Sequence, residues 1–105
     1  MGIEKKKICL VGAGKTMQKH LDVFKNFKNI EFSGIYNRSK KKALFLKKKY
    51  KIKKIFNDIT KMYKDTKSDY IIVVVSPEAS FKILKKCIKY PWIIFTEKPL
   101  GCNYT

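Results

Sequence analysis

Residues 70–75 read YIIVVV, an unbroken apolar run in which every residue after the tyrosine is β-branched. The run is too short for a buried helix and lacks the alternation of a strand with one wet face. A strand that is apolar throughout must be covered on both sides. That is the situation of a parallel sheet held between two layers of helices. A chain built around such a strand needs other strands beside it and helices to cover them.

The rest of the chain supplies both. Residues 8–11 form a second apolar run, ended by glycine. From 16 to about 27, Met17, Leu21 and Phe24 recur at helical spacing, with Val23 and Phe27 alongside. A strand is predicted over 30–36. Ser39 is a good N-cap for a helix over 40–50, in which Ala43, Leu46 and Tyr50 share a face. The lysines at 40–42 and 47–49 cover much of the remainder. Ile55 and Phe56 suggest a short strand, ended by Asn57 and Asp58, and 59–63 suggests a helical turn. Ser76 and Pro77 open a helix to about residue 89, with Phe81, Leu84 and Ile88 as its expected inner stripe. Pro91 breaks it, and 92–96 is a last strand. Strand and helix alternating in this way predict βαβ units, a parallel sheet and right-handed crossovers.

Length and composition agree with one such domain over 1–105, since 105 residues with 45% hydrophobic content can bury a core. No apolar run approaches the ~20 residues of a membrane span. The start, MGIEKKKICLVG, is basic and then apolar, but the run is too short for a signal peptide, and the Ser or Thr of a myristoylation signal is missing. Cys9, Cys87 and Cys102 fit no zinc or redox spacing, which points to buried thiols in a reducing cytoplasm and to no metal. The net charge of +17 invites a nucleic-acid reading. Yet Arg38 is the only arginine among 25 basic residues, and base and phosphate readers exploit the arginine fork. Lysine in place of arginine suits an AT-rich coding bias better than a specific nucleic-acid site. Weak binding to nucleic acid at low salt is expected in any case.

Gly12-Ala13-Gly14 follows the first strand and precedes the first helix. In that context a glycine pair marks a dinucleotide turn. The first glycine permits the tight turn, the second lets backbone approach a pyrophosphate, and the helix N-terminus offers free N–H groups and a positive dipole end. Met17 occupies the third glycine position, which serves packing rather than phosphate contact. A ligand-free turn and a methyltransferase-like site are the rivals. At the end of the second strand the sequence reads Asn37-Arg38-Ser39, where an NAD site usually places an acid for the ribose. Without a carboxylate a 2′-phosphate is not repelled, and Arg38 and Ser39 can meet it, which favours NADP over NAD.

Ligands in open α/β sheets bind beyond the carboxyl ends of the strands. Two such ends read Val75-Ser76-Pro77 and Thr96-Glu97-Lys98-Pro99. Together VGAGKTMQKHL, YNRS, VVVSP and TEKPLG resemble the N-terminal half of the glucose–fructose oxidoreductase, inositol dehydrogenase and rhizopine-catabolism (Gfo/Idh/MocA) oxidoreductase family over nearly all of the chain. The resemblance implies an α/β fold: a Rossmann-type doubly wound parallel sheet, truncated before a second (α+β) substrate domain. It implies that Gly12, Ala13, Gly14, Lys15, Thr16 and Met17 form the pyrophosphate turn. Asn37, Arg38 and Ser39 would face the adenosine ribose, and Val75, Ser76 and Pro77 the middle of the cofactor. Glu97, Lys98 and Pro99 would sit near the nicotinamide, with Lys98 catalytic and its bond to Pro99 often cis. The histidine that the family often carries on the fourth helix is Phe81 here, while His20 matches a common first-helix histidine.

The resemblance implies hydride transfer between a nicotinamide cofactor and a sugar, cyclitol or related polyol. The chain appears as one half of such an enzyme, expected to be inactive alone, to leave apolar surface exposed and to rely on the other half for any homo-oligomer contacts. The alternatives are a non-catalytic nucleotide-binding or sensor module and a basic nucleic-acid-binding domain. No membrane partner is expected.

Overall fold

Strand and helix alternate along the whole of the chain that the computed structural model describes, residues 5–96. The elements are β1 (Lys6–Val11), α1 (Lys15–Phe24), β2 (Ile30–Tyr36), α2 (Lys40–Tyr50), β3 (Ile55–Phe56), α3 (Ile59–Thr66), β4 (Tyr70–Val73), α4 (Pro77–Cys87) and β5 (Ile93–Thr96). The sheet order is β3-β2-β1-β4-β5, and every pairing is parallel. The chain starts in the middle, winds outward to β3, returns through α3 to β4 and winds outward again. This is the doubly wound Rossmann arrangement.

The two faces of the sheet carry separate cores. On one, Met17, Leu21, Ala43 and Leu46 of α1 and α2 pack on Ile8, Leu10, Ile35 and Ile72. On the other, Ile59, Met62 and Cys87 of α3 and α4 pack on Cys9, Val11, Ile71 and Val73. Successive residues of β1 and β4 thus go to opposite cores, as an all-apolar strand requires. Tyr50 ties α2 to α1: its hydroxyl donates to the Asp22 carboxylate at 2.7 Å. The register of β1 on β2 shifts between Ile8 and Cys9, so that Ser33 is the extra residue. The shift lets Phe32 and Ile35 face the same core. Gly34 then lies under Phe56, whose ring is 2.7 Å from where a Cβ would stand.

Several sequence expectations are corrected in detail. β1 begins two residues earlier than its apolar run, α1 stops at Phe24, and α3 is a full helix rather than a turn. The strand expected over 70–75 ends its ladder at Val73. Val23 and Phe27 are exposed. The expected inner stripe of α4 is wrong in phase. Phe81 and Ile88 are 67% and 70% exposed, whereas Cys87 is fully buried and Ile83 and Leu84 pack against the core. Ser76 and Pro77 set where α4 starts, and packing of Ile83, Leu84 and Cys87 with Cys9, Val11 and Trp92 holds that face inward; the Trp92 indole N–H also donates to the Cys87 carbonyl at 2.8 Å. On the α1 side of the sheet, β5 leaves Ile93 and Phe95 about half exposed. Phe95 borders a hollow with Ile8, Phe24 and Ile72. Apolar surface is therefore exposed, as expected.

Among the described residues no helix is long and apolar enough to cross a membrane, and no three His, Cys, Asp or Glu side chains cluster as metal ligands. Burial raises both described thiols. Cys87 is pushed up to about 11, with the neighbouring Cys9 adding to the effect. Cys9 is raised by burial despite hydrogen bonds to Ser68 and Thr66. Burial, reinforced by Asp22, lifts the Tyr50 phenol to about 12. A group whose folded value is raised keeps its proton longer in the native state, so its stabilisation is complete below the unfolded value and fades above it. Urea midpoints should therefore hold steady to about pH 8 and fall steadily from about pH 9 to 11. A midpoint that rises across that window contradicts the assignment.

Candidate functional site

The carboxyl ends of β1, β2 and β4 are stitched together by backbone. The Gly12 N–H donates to the Tyr36 carbonyl at 3.0 Å, and the Val74 N–H donates to the Val11 carbonyl at 2.9 Å. Gly12 itself has φ of 109°, and a Cβ there would collide with the Val74 carbonyl oxygen. The first glycine is thus required by the turn and by the neighbouring strand. Gly14 differs. It is the N-cap of α1, its φ of −87° is open to any residue, and a Cβ would meet nothing within 4 Å. Nothing among the described residues demands glycine at this position, and the space beside it is open.

That space is a cleft of about 740 Å³ beyond the strand tips. Gly12, Ala13, Gly14, Asn37, Arg38, Ser39, Val75 and Ser76 all line it, so most of the predicted cofactor residues come together. Lys15, Thr16 and Met17 form the first turn of α1, and Pro77 is the first residue of α4, but their side chains do not line the cleft. Met17 is fully buried in the core. Its side chain does not reach the cleft. Glu97, Lys98 and Pro99, with the expected catalytic role of Lys98, lie outside the described residues.

Helix ends distinguish the glycine turn. Ser39 Oγ accepts from the Lys42 N–H, Asp58 Oδ1 from Thr60 and Ser76 Oγ from Ala79, which caps α2, α3 and α4. α1 has no side-chain cap. Its first N–H groups are left for another acceptor, at the positive end of the helix dipole. A pyrophosphate is such an acceptor, and the open position at Gly14 gives it room. The residues present therefore fit a dinucleotide.

At the end of β2 the Asn37 side-chain amide donates to the Ser39 carbonyl at 3.1 Å, holding the turn. Ser39, already an N-cap acceptor, retains its hydroxyl proton as a donor. Arg38 is exposed and makes no ion pair with a described residue. Sequence reading missed Tyr36, Lys42, Val74, Glu78, Ala79, Lys82, Ile83 and Lys86 in the lining. The spacing of Glu78, Lys82 and Lys86 at four-residue intervals was a visible sign that they share a helix face.

A sequence model of the Gfo/Idh/MocA oxidoreductase family, described as an oxidoreductase family with an NAD-binding Rossmann fold, matches residues 6–105. The chain belongs to that family. It is an NAD-binding Rossmann domain, as the turn, the sheet order and the cleft indicate. Comparison with curated proteins found no match. Solved structures with the same fold include apo scyllo-inositol dehydrogenase from Lactobacillus casei, with TM-score 0.81 and 18% identity over 98% of this chain and 31% of that one. Myo-inositol dehydrogenase from Lactobacillus casei, solved with NAD(H) and myo-inositol, has TM-score 0.81 and 23% identity over 91% of this chain and 29% of that one. An oxidoreductase of Desulfitobacterium hafniense, assigned as NADPH-dependent, has TM-score 0.84 and 15% identity over 97% of this chain and 29% of that one. The chain spans about a third of the length of these proteins.

The two glycines separate fold from binding. Gly12→Ala strains a positive φ and drives a methyl into Val74, and should cost about 1–3 kcal/mol or more in stability. Gly14→Val should cost no more than about 1 kcal/mol, the loss from a poorer N-cap, yet abolish dinucleotide binding in a fluorescence titration. A Gly14→Val chain that binds NAD or NADP normally would place the pyrophosphate elsewhere.

Proposed function

We propose that this domain binds NADP in preference to NAD and serves an oxidoreductase that moves a hydride to or from a sugar, cyclitol or related polyol. The end of β2 carries the cofactor preference. Asn37 stands where an acid would grip the ribose hydroxyls and repel a phosphate, and Arg38, Ser39 and Lys42 line the cleft beside it. A guanidinium with no ion-pair partner among the described residues and a hydroxyl donor suit a phosphate dianion. The substrate class is supported by the family and by neighbours solved with inositols.

Within the cleft the uncapped start of α1, from Gly14 through Met17, would hold the pyrophosphate, and Val75 and Ser76 would flank the middle of the cofactor. Glu97, Lys98 and Pro99 follow β5 in sequence. On this reading Lys98 orients the substrate or assists proton transfer. The nicotinamide, when bound, supplies the hydride chemistry; the chain supplies position and charge.

A thermal-shift titration at ~0.2 M salt tests the preference. NADP⁺ at about 100 times its Kd should add ~2.7 kcal/mol and raise Tm by roughly 10 °C. Arg38→Gln should weaken NADP⁺ about 10- to 100-fold, the loss of one charged hydrogen bond, and leave NAD⁺ nearly unaffected. Equal stabilisation by NAD⁺ and NADP⁺ would defeat the proposed preference.

A further inference from the structure

The cleft has two walls, and both are cationic. Arg38 and Lys42 stand on the β2–α2 side, and Lys82 and Lys86 stand on α4. Because α2 and α4 cover opposite faces of the sheet, these pairs approach the cleft from opposite sides. One carboxylate, Glu78, lines the cleft with them. Between the walls the tip of β4 contributes Val74 and Val75, and Ala79 and Ile83 add apolar surface on α4 itself. Neither Lys82 nor Lys86 is in an ion pair with a described residue. Placed four apart on a helix, they repel each other, and an anion in the cleft relieves that repulsion.

A dinucleotide pyrophosphate is met by the start of α1, so the wall lysines are left for charge elsewhere on the ligand. We propose that Lys82 and Lys86 determine cofactor specificity, completing with Arg38 and Lys42 a two-sided clamp for a phosphate on the adenosine ribose. This rests on the NADP reading above. The adenine lies against Val74 and Val75 and the apolar side of α4, and the lysine ammonium groups reach past it to the phosphate. Ligands without that phosphate leave the α4 wall without a counter-charge and gain nothing from it.

The test is a set of dissociation constants for NADP⁺, NAD⁺ and 2′,5′-ADP, measured by calorimetry on the full chain. The double variant Lys82→Gln/Lys86→Gln is compared with Lys85→Gln/Lys89→Gln, which removes equal charge from the same region without touching the cleft lining. The clamp predicts that the first variant weakens NADP⁺ and 2′,5′-ADP by about tenfold or more while NAD⁺ stays within about twofold, and that the second leaves all three within about twofold. Circular dichroism confirms that both remain folded. Three results overturn the clamp: equal losses for NAD⁺ and NADP⁺, equal effects of the two double variants, or no loss at all. If the unaltered chain binds NADP⁺ no tighter than NAD⁺, the underlying cofactor reading fails as well. If it prefers NADP⁺ and Arg38→Gln removes that preference while Lys82→Gln/Lys86→Gln does not, the clamp alone fails.

Discussion

β1 is hydrogen-bonded along both edges, to β2 on one side and β4 on the other, and both of its faces are buried. Cys9, Leu10 and Val11 have no exposed surface at all. This double constraint decides where everything else goes. Parallel neighbours bring the ends of β1, β2 and β4 level, and the chain leaves β1 through the narrow gap beside Val74. Only a residue without a Cβ passes there, at positive φ, so Gly12 belongs to the sheet as much as to the turn. From that point the direction of α1 and the place of its first N–H groups follow.

The polar chemistry of the site is a consequence of this packing. Three of the helices close their own N-termini with Ser39, Asp58 or Ser76, and α1 does not. A helix start without a side-chain cap, opening on a cleft with a vacant position at Gly14, has lower free energy with an anion present. Opposite walls rich in lysine and arginine extend that preference along the cleft. Such long-range attraction weakens with ionic strength, so affinities have meaning only at a stated salt concentration. The strong net positive charge of the chain adds a general attraction for anions, and the arrangement of Arg38, Lys42, Lys82 and Lys86 is what can turn it into selectivity.

Much of this was legible in the sequence. YIIVVV announced a strand covered on both faces, and Ser39, the stripe of Ala43, Leu46 and Tyr50, and the pair Ile55-Phe56 placed α2 and β3 correctly, because local signals agreed with tertiary packing. That the glycine turn and Asn37-Arg38-Ser39 lie together at the strand tips was readable from their places after β1 and β2. The phase of α4 was not. Phe81, Leu84 and Ile88 make a plausible helical stripe, and so do Ile83, Leu84 and Cys87; the second packs into the core with Cys9, Val11, Ile71 and Trp92, a tertiary arrangement that no periodicity contains. The lysines of the cleft walls were hidden for another reason. Among so many lysines, those facing the site can be told from solvated ones only when α2 and α4 have been set on opposite faces of the sheet.

The central claim is that the start of α1 holds the cofactor pyrophosphate, and backbone amide shifts report on it directly. With ¹⁵N-labelled chain titrated with NADP⁺, the account predicts the largest amide perturbations from Gly12 through Met17, with smaller ones at Asn37 to Ser39 and at Val75 and Ser76. Saturable binding that leaves the amides of Gly14 to Met17 unmoved would contradict it.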